Sequence, residues 1–458
     1  MRNKKTFNNI NNSFPEIKSD DRIIIFSPHP DDDILTCSKI ILEAVWKNAT
    51  IKIVYMTNGD GRQQNYLDEY LKSDNISDFK GNLGELRHFE ALNSLNKLGL
   101  NENKIIFLGY PDSGLKDLFL YNWDYDNLFK NENFPNHSPY DFSFEKNAHY
   151  CGVNLVKNLN QILDDFKPNM ILTPDYGDEH GDHWATNAFI QYITTEREYN
   201  KSIYHFLVHK EGLPIICTYA PFEDMIMPLS VIVLDGRWLK LVLSPEDEQI
   251  KKEAINSHKS QIYLKEEKDF LDSFIRTNEY LAFYPKINIQ KEANYSLKDG
   301  IPKSSFRYLS FKPITMKNIF KPIKNVSSGD LDSIGLILDK ESLYIIVHSN
   351  KFTMDYHYIF HLYLYERGKY RKLYVDVKGN KAKCISKSLD EISKLDKIIP
   401  DQNSITQRLE VQNENNMVRV KIPVDVIKYV KDILITAEVQ YSKDYEMNIT
   451  PLRVFKFV

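Results

Sequence analysis

The chain has 458 residues, 42% of them hydrophobic and 12% aromatic, with a formal net charge of −4. That length asks for two or three domains with packed cores, and the near-balanced charge gives no general argument for nucleic acid or an anionic membrane surface as a partner. Four well-separated cysteines, Cys37, Cys151, Cys217 and Cys384, form no CxxC pair and suggest neither a disulfide framework nor a thiolate zinc site.

Residues 1–20 are polar and Asn-rich, without an apolar stretch, and read as a tail rather than a secretory signal. No run reaches the roughly 18 apolar residues of a membrane span. The expectation is a soluble cytoplasmic chain with reduced thiols. Arg22–Ser27 is a short continuous apolar run, as befits a strand buried on both faces. It stops at Pro28-His-Pro-Asp-Asp-Asp33, and a helical pattern follows through Ile34, Leu35, Ile40, Ile41, Ala44 and Val45. Ile51–Met56 is a second strand, ending at Thr57-Asn-Gly-Asp-Gly61. A helix then places Leu86, Phe89, Leu92, Leu95 and Leu98 on or near one face and ends at Gly99. Lys104–Leu108 and Met170–Thr173 are further strands, the latter followed by a helix through Ala185, Phe189, Tyr192 and Ile193. Strands alternating with helices predict a Rossmann-like parallel α/β sheet with flanking helices, over residues 21–285. Ser244-Pro-Glu-Asp247 opens one more helix, with Ser as N-cap, and that helix is expected to carry His258 and Gln261.

Residues 286–332 lose any period. Between Ile301 and Asn325 stand Lys303, Arg307, Lys312, Lys317, Lys321 and Lys324 with no acidic residue. This is either an anionic-partner patch or, as such runs usually are, a solvated linker. Over residues 333–458 the runs Leu343–Val347, Tyr358–Tyr365, Tyr370–Val377, Met417–Ile422 and Ile433–Tyr441 read as strands, with a hairpin turn at Glu366–Lys369. They predict an all-β, sandwich-like C-terminal domain.

Two clusters carry chemistry. His29-Pro-Asp-Asp32 follows the first strand directly, and His180-Gly-Asp-His183 lies just beyond the strand at Met170–Thr173. The carboxyl ends of strands in an open parallel sheet form the ligand crevice. The two clusters are therefore expected in one cleft, where two imidazoles and a carboxylate suit Zn²⁺ and leave a position open for water. Acids after a strand also simply cap a helix, and an isolated His pair is more often structural. Both clusters at matching strand ends tip the balance to a site.

These motifs resemble the PIG-L/LmbE-like de-N-acetylases, zinc enzymes that remove acetyl groups from N-acetylglucosaminyl lipids and thiol-conjugate precursors. The family's (A/P)HPDDE stands here as Pro28–Asp33 and its HxDH as His180–His183. Gly84-Glu-Leu-Arg-His-Phe-Glu90, Leu108-Gly-Tyr-Pro-Asp112 and His258-Lys-Ser-Gln261 match further, and Asp33 replaces the usual Glu. The resemblance spans Asp21 to Pro285 and implies a zinc-dependent hydrolysis of the N-acetyl amide of an N-acetylglucosamine-type sugar or conjugate. It implies His29, Asp32 and His183 as zinc ligands and Asp31 as general base. His180 would protonate the leaving amine or stabilise the oxyanion, and Asp182 would support the histidine cluster. Arg87 and Asp112 would contact sugar hydroxyls, although Arg87 suits an i,i+3 ion pair with Glu90 and Asp112 a Pro-Asp-Ser-Gly turn. His258 reads as a buried, hydrogen-bonded structural residue. Fe²⁺ also suits a His₂Asp site. In the C-terminal domain Tyr356, His357, Tyr358, His361 and Tyr363 look exposed and suggest glycan contact, unless they alternate into a core. The rival reading is a carbohydrate-binding or assembly protein with a non-catalytic scaffold.

Overall fold

The structure is a computed structural model that describes residues 12–62, 64–74, 79–132, 135–228, 231, 236–289, 297, 331–349, 354–389, 402–414, 416–442 and 445–457. The basic stretch from Lys303 to Lys324 lies outside them. The chain divides into two compact units. One runs to Ile193 and from Asn200 to Tyr284; the other holds Thr194–Tyr199 and Pro285 onward.

The first unit is built on eight strands, β1 (Asn12–Ser13), β2 (Arg22–Ser27), β3 (Thr50–Thr57), β4 (Ile105–Tyr110), β5 (Met170–Pro174), β6 (Ser202–Phe206), β7 (Arg237–Val242) and β8 (Asn278–Phe283). They lie in the order β1-β7-β8-β6-β5-β2-β3-β4. β2 is central, and Ile25 pairs with Ile53 of β3 on one side and Leu172 of β5 on the other, both in parallel register. β4 and β6 extend the parallel core. β8 runs antiparallel to both β6 and β7, so the sheet is mostly rather than wholly parallel. Ile23, Ile24, Ile25 and Phe26 are all fully buried because helices cover both faces. The helices are α1 (Asp32–Trp46), α2 (Gln64–Ser73), α3 (Leu83–Lys97), α4 (Leu115–Leu120), α5 (Gly152–Phe166), α6 (Gly181–Glu196), α7 (Pro245–Ile255) and α8 (Lys265–Asp272). No helix among the described residues is long and apolar enough to cross a membrane.

The strand order creates the cleft. The chain leaves β2 toward β3 and β4, then crosses to the other side of β2 for β5 and β6. This is a topological switch point, where the carboxyl ends of neighbouring strands open a crevice.

Two local expectations need correction. Phe89 of α3 is 56% exposed, and the buried face of that helix instead carries Leu83, Arg87, His88, Glu90, Ala91, Ser94 and Leu95. Polar residues turn inward there because Arg87 and Glu90 find buried partners, which hydrophobic periodicity does not register. The helix opened by Ser244 has the expected capping box with Asp247, but it stops at Ile255. His258 and Gln261 therefore sit in the turn that follows, where His258 N–H donates to the Ile255 carbonyl and Gln261 N–H to that of His258.

A buried ion pair ties α7 to β8, and the same lysine reaches α1. Lys251 Nζ donates to Glu279 Oε1 at 2.7 Å and to the Leu35 carbonyl at 2.7 Å. Glu279 also accepts from Ser38 Oγ and the Lys39 N–H. Because Lys251 and Glu279 are both buried, removing one partner strands the other charge. Glu279→Ala should cost about 3–5 kcal/mol of stability. Thermal and urea unfolding check this, and adding Lys251→Met should recover most of the loss.

The second unit comprises β9 (Ile287–Ile289), β10 (Leu331–Leu338), β11 (Ser342–Ser349), β12 (His357–Glu366), β13 (Lys369–Lys378), β14 (Lys381–Ser388), α9 (Gln402–Arg408), β15 (Glu410–Glu414), β16 (Met417–Pro423), β17 (Val430–Ser442), β18 (Tyr445–Ile449) and β19 (Arg453–Phe457). One sheet runs β10-β11-β16-β15 and the other β14-β13-β12-β17-β19-β9, with β18 on β17. All pairs are antiparallel except β9 with β19, which places a strand inside the expected linker. Residues from both sheets, among them Ile345, Val420, Phe360, Leu362, Val375 and Ile435, share one apolar core. Arg367 and Gly368 both take positive φ, 51° and 79°, as a two-residue hairpin turn between β12 and β13 requires.

The exposed aromatic row expected on β12 does not exist. Tyr358, His361 and Tyr363 are buried, and Tyr356 and His357 half-buried. β12 is an interior strand flanked by β13 and β17, and His361 Nε2 lies 2.9 Å from Glu438 Oε1. These residues offer no platform on which a sugar could stack.

Candidate metal centre

Four loops at the carboxyl ends of the parallel strands converge on one buried cluster. His29 follows β2. Asp31 and Asp32 cap and open α1. Gly59 follows β3, Asp112 follows β4, and Asp178–His183 connects β5 to α6. The first loop is pinned from three directions. Ser27 Oγ donates to the His29 carbonyl at 2.8 Å, Thr57 Oγ1 to the Pro28 carbonyl at 2.9 Å, and the His29 N–H to Asp32 Oδ2 at 2.9 Å.

Asp32 Oδ2 stands 3.1 Å from His29 Nδ1 and 3.1 Å from His183 Nε2. Two donors at tetrahedral angles around one zinc are separated by about 3.3 Å, given bonds of about 2.0–2.1 Å. Each of these two spacings from Asp32 therefore fits a pair of donors sharing an ion. Each ring is also set in the right tautomer by an acidic neighbour. His183 Nδ1 lies 2.9 Å from Asp178 Oδ2, which leaves Nε2 as the donor atom, and that buried nitrogen has no hydrogen-bond partner. His29 Nε2 faces Asp182 Oδ2 at 3.2 Å and Asp112 Oδ1 at 3.4 Å, which leaves Nδ1 toward Asp32. Carboxylates behind ligating imidazoles orient them and raise their basicity. The donor nitrogens of His29, His180 and His183 also lie within 4.8 Å of one another.

The charges agree. Burial would lower the pKa of His183, but Asp178 and Asp32 outweigh it and lift the ring to about 9. Burial likewise opposes protonation of His29, yet Asp112, Asp182 and Asp32 hold it well above the usual range. Asp32 and Asp112 are held below theirs in turn, burial being overcome by the paired rings. A pocket that stabilises positive charge on two imidazoles by surrounding them with carboxylates is suited to a dication.

Asp31 is distinct. Its Oδ2 accepts from Arg87 Nη2 at 3.0 Å, and burial raises its pKa against the pull of that guanidinium. Arg87 Nη1 donates to the Gly59 carbonyl at 2.8 Å. Arg87 is thus engaged by Asp31 rather than by Glu90, whose carboxylate accepts instead from Ser260 N and Oγ. Asp112 does more than form a turn, since Oδ2 accepts from the Gly61 N–H at 2.8 Å while Oδ1 faces His29. Asp182 also accepts from the Ser113 and Leu115 N–H groups, tying the β4 loop to α6. His180 Nδ1 accepts from the Asp182 N–H at 3.3 Å, so the ring proton sits on Nε2. In the metal-free site burial and the cationic rings of His29 and His183 drop its pKa to about 4, which leaves the ring neutral at neutral pH. Asp33 lies outside the cluster, bonded to Tyr55 and raised by burial to about 8. His258 is fully buried, but neither ring nitrogen has a hydrogen-bond partner, contrary to the expected structural bond.

Gly59 is required for this arrangement. Its φ is +64°, and a Cβ there would fall 2.1 Å from Arg87 Nη1. Gly59→Ala should displace the guanidinium from Asp31 and cost about 1–3 kcal/mol through the backbone alone. A lower melting temperature with a rate loss that Gly59→Ser does not relieve is the expected outcome.

Two site residues escaped sequence reasoning. Asp178, in the loop after β5, and His209, three residues past the end of β6, belong to no motif. Asp178 Oδ2 accepts from His183 Nδ1 and from the Val208 and His209 N–H groups, joining the two.

Residues 24–193 match the family model for PIG-L, the GlcNAc-PI de-N-acetylases, and form a PIG-L domain. No curated protein matches the chain in sequence. Among solved structures, a deacetylase triple mutant involved in the teicoplanin biosynthetic pathway is 18% identical, covering 57% of this chain and 97% of its own with a TM-score of 0.36. The N,N′-diacetylchitobiose deacetylase of Pyrococcus horikoshii is 16% identical over 57% of this chain and 82% of its own, with a TM-score of 0.33. A 4-carboxy-2-hydroxymuconate hydratase from Pseudomonas putida is 10% identical over 60% and 100%, with a TM-score of 0.34.

Proposed function

From the PIG-L domain and its cluster of two imidazoles and a carboxylate, we propose that the chain is a metal-dependent amide hydrolase that removes the acetyl group from an N-acetylglucosamine-type sugar or conjugate. The observation that carries this reading is Asp32 Oδ2 set 3.1 Å from both His29 Nδ1 and His183 Nε2, with Asp31 beside it and outside the ligand set. His29, Asp32 and His183 would hold the ion, zinc by donor type, with Fe²⁺ as the rival. The ion supplies Lewis acidity toward the acyl oxygen and lowers the pKa of water to about 7.

The chain's own groups do the rest. Asp31, ionised and aligned by Arg87, takes a proton from the attacking water. His180 Nε2–H points its proton at the oxyanion of the tetrahedral intermediate, a contact worth about 3–4 kcal/mol. As a neutral ring it is a better donor to that oxygen than a proton source. Asp31 then passes its proton to the departing nitrogen, releasing acetate and a free amine. Asp182 and Asp178 hold His29 and His183 in the ligating tautomers, and Asp112 and Arg87 line the approach to the acyl group, where sugar hydroxyls would meet them.

The test is acetate release from a panel of N-acetylglucosaminides and related conjugates by the metal-replete protein. Acetate and free amine in equal amounts are expected. Metal-replete protein that cleaves only non-sugar amides would overturn the substrate class, and protein that retains no metal would overturn the reaction.

A further inference from the structure

Beyond the three ligands that the paired motifs supply, a fourth histidine reaches the same cluster. His209 lies three residues past the end of β6, the strand beside β5, and so at the same edge of the sheet. One of its ring nitrogens, a ring nitrogen of His183 and a carboxylate oxygen of Asp32 lie within 4.8 Å of one another. Its ring centroid is 4.8 Å from that of His183 and 5.1 Å from that of His180.

The position is built. Asp178 Oδ2 accepts from His183 Nδ1 at 2.9 Å and from the His209 N–H at 3.1 Å, so one carboxylate oxygen sets the spacing between the ligand ring and the backbone of residue 209. The Glu179 N–H donates to the His209 carbonyl at 2.7 Å, closing the same junction from the other side. Phe270 stacks against the ring, 5.6 Å between centroids and 11° between planes, and so restricts its rotation. Among the described residues, neither ring nitrogen of His209 makes a hydrogen bond. Its ring is less buried than those of His29, His180 and His183. A half-buried imidazole restricted in rotation, with its nitrogens uncommitted, has the chemistry of a donor.

We propose that His209 is a fourth protein donor to the metal held by His29, Asp32 and His183. The inference rests on the metal-centre reading above and adds one ligand to it. Four protein donors would close a tetrahedral site, so a fifth position must open, or His209 must withdraw, for water and substrate to be accommodated. His209 is the donor suited to withdrawing, because it alone of the four lacks a carboxylate holding its ring.

X-ray absorption on the wild-type zinc protein should count three imidazole nitrogens around the ion, from His29, His183 and His209. In parallel, Co²⁺-loaded wild type and His209→Ala are compared by visible spectrum and by competition with a chelator. Loss of the imidazole should change the ligand-field bands and weaken Co²⁺ binding by at least about 10–100-fold, the range seen when even indirect partners are removed. Two imidazoles in the wild type, or identical spectra and affinities in the two proteins, overturn the proposal and leave the three-ligand centre standing. A wild type that holds no ion after loading overturns both.

Discussion

Asp31→Asn is expected to slow amide hydrolysis by about 10²–10⁴-fold, the range contributed by a positioned general base, while metal content stays at the wild-type level. The substitution keeps the size of the side chain and a carbonyl oxygen for Arg87 Nη2, now 3.0 Å from Asp31 Oδ2, so the loop should hold its shape. What disappears is basicity. The ligand atoms lie around Asp32 Oδ2, to which Asp31 makes no hydrogen bond, so elemental analysis should read the same in both proteins. The pH profile gives a second arm. Burial raises the Asp31 pKa, and Arg87 opposes that rise. A base must be ionised, so activity should fall as pH drops through the pKa of Asp31. Arg87→Met removes the opposing charge and should move this acidic limb higher still. An Asp31→Asn enzyme at full rate, or an Arg87→Met limb shifted to lower pH, would remove Asp31 from the role of base.

The chain reads well where chemistry and periodicity coincide. β2 announces itself because a strand covered on both faces must be apolar throughout, and the Pro-His-Pro-Asp-Asp run marks its carboxyl end. That His29 and His183 meet follows from strand order, which sequence gives only as an expectation; β2 beside β5 makes it so. Arg87 was harder. Its helix has an apolar pattern that predicts Phe89 inside and says nothing of a guanidinium buried against Gly59 and Asp31. Asp178 and His209 were illegible for a different reason. Their roles depend on a single carboxylate oxygen shared by residues from two segments, and no spacing rule encodes such a junction. In the second unit, Tyr358, His361 and Tyr363 resemble a binding surface in one dimension, yet β13 and β17 flank their strand and enclose it. Edge strands such as β14, Lys381–Ser388, carry lysines that guard against pairing and so hide the strand from a hydrophobicity scan.

Metal uptake should release protons, and this can be measured without knowing the substrate. In the metal-free protein His183 has its pKa lifted to about 9; burial pulls it down, but Asp178 and Asp32 prevail. His29 is lifted well above its usual value by Asp112, Asp182 and Asp32 against the same burial. Both rings are therefore protonated at neutral pH, and an ion can bind only to their neutral forms. The sign is fixed by that competition. Binding is strongest above both pKa values and weakens as pH falls through them, by about tenfold per unit for each proton displaced. Calorimetry at pH 7.5 in two buffers of different ionisation enthalpy should report about two protons per zinc. His183→Ala removes a donor atom and one of those protons, and purified variant should carry almost no metal and show no hydrolysis. Asp178→Asn is the finer probe. It keeps the imidazole but lowers its basicity and loosens its tautomer, so zinc affinity should fall by about 10–100-fold. At the same time His183 should titrate at lower pH, so fewer protons should leave on binding. A variant that loses affinity with unchanged proton release would mean that Asp178 acts by shape alone, whereas a wild type that binds zinc with no proton release would place the ion somewhere other than on His29 and His183.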